Sequence, residues 1–233
     1  MYLKNKFNLC LFIVVSLFMV SEVGAVEENM PNKEINVVLV GASIGNAWKF
    51  NELAERVGAD GFQLEFIPLY DSFDKSLAID DIVSRSELPD VVIIKECSVY
   101  FPGDMADYKN KITQWTQQLA EKNIDVVFAT SVPVSERTGV TSKVKGLIKG
   151  IMGKPDKMKQ LTAYNDWLRE VAEQRGLAVL DLEATLRVSD ENRYMNPKYD
   201  RGDHVHLNAD AYQALDKLGK EFLSKIKVTH SEK

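Results

Sequence analysis

Residues 35–46 of this 233-residue chain read INVVLVGASIGN, the clearest strand-to-helix pattern in the sequence. Its first half, residues 35–40, is a run of mostly β-branched apolar side chains, which predicts a buried strand that ends at Gly41. Apolar residues then recur at helical spacing over residues 45–57, which predicts a helix. A strand with no polar face, followed directly by a helix, is typical of a parallel sheet with helices on both faces.

The remainder of the chain repeats this alternation of strand and helix. Further strands are predicted at residues 62–69, 90–94, 124–129 and 177–182, and further helices at 75–85, 104–122, 159–174 and 208–225. The pattern indicates one α/β domain over residues 35–233. In open sheets of this kind ligands bind beyond the carboxyl ends of the strands, so the residues that follow each strand are the candidates for a functional site.

Composition narrows the class of protein. The chain is 45% hydrophobic and 27% charged with only two cysteines, which excludes a disordered, collagen-like, coiled-coil or disulfide-stapled protein. Its net charge of -5 argues against a nucleic-acid-binding protein, which normally carries a basic surplus.

The first 25 residues have the pattern of a secretory signal peptide. Lys4 and Lys6 precede an apolar run over residues 9–20, and residues 23–25 (VGA) are small enough for a signal peptidase. A membrane-spanning helix needs about 20 apolar residues, so the run is too short to cross a bilayer. We expect cleavage after Ala25, a flexible lead-in at residues 26–34, and a secreted or periplasmic protein; an uncleaved anchor or a buried strand are the alternatives.

Cleavage there would leave Cys97 as the only cysteine, because Cys10 lies inside the leader. A single cysteine forms no internal disulfide. Cys97 follows an apolar run, so we predict a buried free thiol, with a role as nucleophile as the less favoured alternative.

Ser43 is the first candidate for chemistry, because it lies between small residues where strand and helix meet. Such a turn can expose a hydroxyl at the edge of the sheet, and the backbone N–H groups that follow can stabilise an oxyanion. The alternatives are a plain helix N-cap and a phosphate-binding loop, although the segment has neither GxGxxG nor a Walker lysine.

The second candidate is the segment DRGDHVHLN at residues 200–208. Asp203 comes three residues before His206, a spacing that can place a carboxylate behind an imidazole that takes the proton of a serine. Metal binding by Asp203, His204 and His206 is the rival interpretation, although no fourth ligand is evident.

Together, Gly-x-Ser near the start of the domain and Asp-x-x-His-Leu near its end resemble the SGNH (GDSL-like) hydrolase family. The resemblance implies a flavodoxin-like, three-layer α/β/α fold with a five-stranded parallel sheet. It also implies a serine esterase without metal or organic cofactor, in which Ser43 is the nucleophile, His206 the general base and Asp203 its orienting carboxylate. Its substrates would be carboxylic esters, including acetyl groups on glycans and acyl groups on lipids.

The chain departs from the family pattern around the oxyanion. Ala42 stands where the family has an Asp, and the family's Gly after the second strand and Asn after the third are absent. The replacement donors we consider are Asn46, Ser72, Lys95 and Ser98. Because loss of one oxyanion donor costs about a hundredfold or more in rate, an inactive binding or assembly module and a glycan O-acyltransferase remain alternatives.

Residues 137–159 form a local basic segment in an acidic protein. The segment is long enough to act as a lid, and it would attract an anionic substrate or a membrane surface; a solvated insertion without a ligand is the alternative. Its basic side chains are Arg137, Lys143, Lys145, Lys149, Lys154, Lys157 and Lys159.

Overall fold

A computed structural model of the protein describes residues 33–70, 72–136 and 156–231, with side chains to residue 227. Its centre is a sheet of five strands in the order β2-β1-β3-β4-β5, and every neighbouring pair is parallel. This confirms the predicted five-stranded parallel sheet. The strands are Ile35–Gly41 (β1), Phe62–Pro68 (β2), Val91–Lys95 (β3), Asp125–Ala129 (β4) and Ala178–Leu180 (β5).

Helices connect the strands. The helices described are Ser43–Ala47 (α1), Leu53–Val57 (α2), Ser76–Ser84 (α3), Met105–Ala120 (α4), Lys157–Arg175 (α5), Leu182–Leu186 (α6) and Ala209–Ser231 (α7). Three-residue 3-10 helices lie at Phe50–Glu52, Ser98–Tyr100 and Pro197–Tyr199. None of the helices in the described ranges is both long and apolar enough to cross a membrane.

The two faces of the sheet bury separate apolar clusters, because successive strand residues point to opposite sides. On one face Leu39 and Ile93 pack with residues of α1, α2 and α7. On the other face Val40 and Ile94 pack with α3, α4 and α5, with Trp115 of α4 at the centre. The molecule is therefore the expected three-layer α/β/α fold.

The region after β1 differs from the prediction of one helix over residues 45–57. The chain turns at Lys49, whose φ of 51° lies in the left-handed region, so that α1 and α2 are separate short helices. Arg56 Nη2 donates to Trp48 O at 2.8 Å across the break. Burial of Trp48 and Phe50 favours this broken path over a continuous helix.

Two further predictions concern segments that lie wholly or partly outside the described residues. The predicted leader lies outside the described residues, which begin at Lys33, and so do residues 137–155 of the basic segment. The sequence predicts that the basic segment extends to Lys159 and that a helix begins there. Instead α5 begins at Lys157, because Asp156 caps its first turn by accepting from Lys159 N at 2.7 Å.

Candidate active site

Ser43 lies at the carboxyl edge of the sheet, where β1 passes into α1. Ala42 is extended and Ser43 is the first residue of the helix, with its side chain partly buried. Gly45 allows this turn to pack against β2, because a Cβ added there would lie 2.4 Å from Phe66 Cε2. Close packing against Phe66 therefore explains why position 45 is a glycine.

Asp203 and His206 form a closely bonded pair at the protein surface. Asp203 Oδ2 lies 2.6 Å from His206 Nδ1, and Asp203 Oδ1 accepts from the backbone N–H groups of Val205 at 3.0 Å and His206 at 2.7 Å. These hydrogen bonds, led by those from His206, hold the pKa of Asp203 well below its ordinary value. The ionised carboxylate keeps the imidazole proton on Nδ1 and leaves Nε2 free to accept one.

The loop that carries this pair is anchored to the end of β4. Ser135, which follows β4, donates its N–H to His204 O at 3.1 Å, and Asp200 pairs with Leu207 across an antiparallel bridge. The carboxylate of Asp200 accepts from Gly202 N at 2.7 Å and His204 N at 3.2 Å. Leu207 is buried in the core next to the exposed His206. The loop therefore lies at the same carboxyl edge of the sheet as Ser43.

A second imidazole lies on the same loop. His204 Nδ1 is 3.4 Å from Asp200 Oδ2, a longer contact than that of His206, and its φ of 68° places the residue in a left-handed turn. In the described ranges no group of three or more His, Cys, Asp and Glu side chains is arranged to hold a metal ion. The two histidines therefore stand as two separate Asp–His pairs.

Ser43 and His206 do not contact each other through a hydrogen bond in the described part of this structure. Both residues lie at the carboxyl edge of the sheet. Catalytic hydrogen bonds are often long in unliganded enzymes and shorten with substrate bound, so this geometry does not exclude the pair.

The four candidate oxyanion donors divide into exposed and buried residues. Asn46 and Ser72 are exposed, and Ser72 Oγ accepts from Asp74 N at 2.9 Å. Lys95 and Ser98 are buried, and Lys95 Nζ donates to Glu96 O at 3.0 Å. Burial lowers the pKa of Lys95. The two exposed side chains are thus the ones that a substrate can reach without a rearrangement.

Among the described residues two fully buried carboxylates, Glu96 and Glu183, belong to ion pairs that sequence reasoning missed. Lys75 Nζ lies 2.5 Å from Glu96 Oε2, with both side chains almost fully buried. Glu183, also fully buried, pairs with Arg169 at 2.7 Å and Arg193 at 2.6 Å. The order of charged residues gives no signal for either, because the partners are far apart in sequence. The thiol of Cys97 is free and buried, as predicted.

A cavity of about 570 Å³ lies away from this edge. It is lined by Val91 and Asp125, the first residues of their strands, by β5 and by the second half of α7. Its place at the amino ends of β3 and β4 separates it from Ser43 and from the Asp203–His206 pair.

Comparison with known structures defines the class of fold. A candidate acylhydrolase from Bacteroides fragilis is 18% identical with a TM-score of 0.62, covering 85% of this chain and 92% of its own. A GDSL-like lipase from Bacteroides thetaiotaomicron is 19% identical with a TM-score of 0.60, covering 82% and 88%. An acetylxylan esterase from Geobacillus stearothermophilus is 11% identical with a TM-score of 0.56, covering 82% and 95%.

The chain therefore has the fold of the SGNH/GDSL-like hydrolases, as its sequence motifs predicted. No protein-family model matches it, and no curated protein matches its sequence. Since every identity quoted is below 20%, the similarity establishes the fold and leaves the activity to be inferred from the residues at the site.

Proposed function

We propose that this protein is a serine esterase in which Ser43 is the nucleophile, His206 the general base and Asp203 its orienting carboxylate. The observation that carries the proposal is the Asp203–His206 pair, held at 2.6 Å on a loop at the same sheet edge as Ser43. The esterases and lipases among the structural neighbours support the same class of chemistry.

The reaction follows from the roles of these side chains. Ser43 Oγ attacks the ester carbonyl while His206 Nε2 takes the hydroxyl proton, and the negative charge collects on the carbonyl oxygen. The imidazolium then returns the proton to the departing alcohol, which leaves an acyl-enzyme. Water, activated in turn by His206, attacks that acyl group and releases the acid and free Ser43. Asp203 stays ionised and stabilises the imidazolium in both steps.

Oxyanion stabilisation would come from the backbone N–H of Ser43 together with an exposed side chain. The backbone N–H of Ser43 is present whatever the neighbouring side chains are, and Asn46 and Ser72 are the exposed side chains that could add a donor. A donor from the buried pair Lys95 and Ser98 would require a rearrangement. We expect turnover to depend on one of the two exposed residues.

The proposed substrates are carboxylic esters, including O-acetyl groups on glycans, and no cofactor is required for the chemistry. One solved neighbour is named as an acetylxylan esterase, which supports acetyl esters as the first substrates to test. We also propose that the basic segment at residues 137–159 attracts anionic substrates or a membrane surface by its charge.

The test is hydrolysis of 4-nitrophenyl acetate by the chain that begins at Val26. We expect turnover by the wild type and loss of about three orders of magnitude or more in Ser43→Ala, because the nucleophile is removed. Ser224→Ala is the matched control, since this exposed serine on α7 donates to Lys220 O of its own helix and, among the described residues, to no other group. Equal rates in wild type and Ser43→Ala would overturn the proposal.

A binding or assembly module without turnover is the second candidate. It is favoured by the two missing family donors and by the open contact between Ser43 and His206. Acyl transfer to a glycan uses the same three residues, so a sugar acceptor added to the assay separates transfer from hydrolysis by its acylated product.

We also propose that the protein is exported, with cleavage after Ala25. Amino-terminal sequencing of the protein isolated from the cell envelope and the medium tests this, and a chain in the cytoplasm that still begins at Met1 would contradict it.

A further inference from the structure

The loop after β2 crosses the end of the strand that leads to Ser43. In the sheet β1 lies between β2 and β3, so a contact between the residues after β2 and those after β3 must bridge the carboxyl end of β1. Lys75 follows β2 and Glu96 follows β3, and their side chains meet at 2.5 Å. We name the described residues of this crossing, residues 69, 70 and 72–75, the strap.

The strap is attached at both ends of its path. Leu69 donates its N–H to Gly41 O at 2.7 Å, only two residues before Ser43, and accepts a hydrogen bond from Tyr100 Oη at 3.3 Å. Phe73 is buried and stacks on Tyr108 of α4 with ring centroids 3.6 Å apart. The crossing therefore lies against the turn that presents the proposed nucleophile.

Lys75 lies in an enclosure of aromatic rings and one carboxylate. Its Nζ is 5.3 Å from the ring centroid of Phe73, 5.9 Å from that of Tyr100 and 5.8 Å from that of Trp115. It donates to Phe73 O at 3.2 Å and to Glu96 Oε2. The exposed fractions of the two charged side chains are 1% and 0%, so the ion pair is out of contact with solvent.

The carboxylate depends on this lysine for its place. Glu96 Oε1 has no hydrogen-bond partner among the described residues, and neither does the buried hydroxyl of Tyr164. Burial raises the pKa of Glu96, and Lys75 opposes that effect. A buried ion pair of this kind is a poor source of stability, because apolar side chains of similar volume often serve as well or better. A positional role explains its presence better than a stabilising one.

We propose that Lys75 and Glu96 are positioning residues, which hold the strap against the end of β1 so that it forms one wall of the ester site. The proposal rests on the proposed function, since it assigns the wall to that site. The strap presents Tyr70, 49% exposed, and the exposed Ser72 on its outer side. The substrate contacts made by these two residues would then depend on an ion pair that itself never touches the substrate.

The test is a double variant, Lys75→Met with Glu96→Leu, which removes both charges and keeps apolar volume. Asp90→Asn is the matched control: Asp90 bonds to Lys33 Nζ at 3.0 Å and Asn36 N at 2.8 Å at the opposite, amino end of β3. The measurements are thermal unfolding, amide hydrogen exchange across residues 69–76, and kcat and KM for 4-nitrophenyl acetate and butyrate.

We expect the double variant to fold, to exchange its strap amides faster than the wild type, and to lose about 10- to 100-fold in kcat/KM, because small displacements at a site have large effects on rate. The ratio of acetate to butyrate rates should change with it, while Asp90→Asn leaves the exchange and the ratio unaltered. Single substitutions, Lys75→Met and Glu96→Gln, should destabilise the chain more than the double one, because each leaves a buried polar partner alone.

A folded double variant with wild-type strap exchange and wild-type kcat/KM overturns the positioning role. Failure of the proposed function gives a different result. The wild-type chain would then neither hydrolyse esters nor react with a fluorophosphonate probe at Ser43, whatever the exchange rates of the strap amides. A loss of activity with strap exchange unchanged also counts against the proposal, because the ion pair would then act on the site by another route.

Discussion

Asp203 bonds to His206 twice, once through the imidazole and once through the backbone. One carboxylate oxygen lies 2.6 Å from Nδ1 and the other accepts the N–H of the same residue at 2.7 Å. The first contact selects the tautomer of the ring, and the second fixes the backbone from which the ring projects. Three residues of spacing are what allow one short side chain to do both.

Replacement of this carboxylate by an amide should abolish most of the activity. In Asp203→Asn the side chain keeps its shape, but it no longer stabilises an imidazolium, and it can favour the wrong tautomer. We expect kcat on 4-nitrophenyl acetate to fall by about 10⁴-fold, the loss known for the equivalent change in a serine protease. The control is His204→Asn, because asparagine tolerates the positive φ of that position. Loss of activity in His204→Asn and not in Asp203→Asn would identify the Asp200–His204 pair as the functional one.

The same carboxylate should make stability depend on acid pH. Its pKa is lower in the folded chain than the ordinary value of about 3.9, so as the pH falls the unfolded chain takes up the proton first. Stability from Asp203 is therefore present above about pH 4 and is lost as the pH falls below it. We expect the free energy of unfolding in urea to be higher for the wild type than for Asp203→Asn, and the difference to be larger at pH 7 than at pH 3. A gap that is the same at both pH values would contradict the assignment.

Gly45 should not tolerate even a methyl group. An added Cβ would lie 2.4 Å from Phe66 Cε2 and 2.7 Å from Cδ2, so the ring or α1 must move. We expect Gly45→Ala to lower the free energy of unfolding by about 1–3 kcal/mol, the usual cost of overpacking. Asn46→Ala, an exposed change in the same short helix, should have little effect on unfolding. Equal stabilities for wild type and Gly45→Ala in urea titrations would show that Phe66 moves aside freely.

Glu183 should be a structural centre between β4 and the segment that leads to His206. Its carboxylate accepts from Asn165 Nδ2 at 3.0 Å and from Arg169 and Arg193, and its backbone N–H donates to Thr130 Oγ1 at 2.9 Å. Glu183→Gln keeps the volume but removes the buried anion from two guanidinium groups, which retain Asp166 and, for Arg169, Asp181. Because those groups reach solvent, we expect a loss at the lower end of the roughly 3–5 kcal/mol known for a broken buried pair.

Denaturant titrations measure this loss in the free energy of unfolding for Glu183→Gln, with Glu191→Gln as the control. Glu191 is an exposed glutamate on the following loop whose side chain accepts from Ser189 Oγ. A larger loss for Glu191→Gln than for Glu183→Gln would refute the central role of Glu183.

The sequence allowed the layered fold to be predicted because β1, β3 and β4 are mostly apolar on both faces and helices separate all five strands along the chain, although β2 carries Gln63 and Glu65 and β5 has only three residues. Residues 35–40 and 90–94 could hardly be anything other than buried parallel strands. The Asp203–His206 contact could also be predicted from the sequence, because the two residues are close enough in the chain for local geometry to determine it.

The features that escaped prediction depend on tertiary packing. The break at Lys49 follows from burial of Trp48 and Phe50 against other elements, which helical spacing alone does not reveal. The ion pair of Lys75 and Glu96 joins residues 21 positions apart. The strand that lies between them in the sheet is β1, which is distant from both in the sequence. The order of strands in the sheet is needed before the two can be seen as neighbours.

Labelling of the chain with a fluorophosphonate probe, followed by identification of the modified peptide by mass spectrometry, tests whether Ser43 is an activated nucleophile. An activated serine attacks the phosphorus and displaces fluoride, so we predict one label on Ser43, absent from Ser43→Ala and greatly slowed in His206→Ala. Labelling of another residue, or no labelling of the folded wild-type chain at all, would contradict the claim that Ser43, His206 and Asp203 act together.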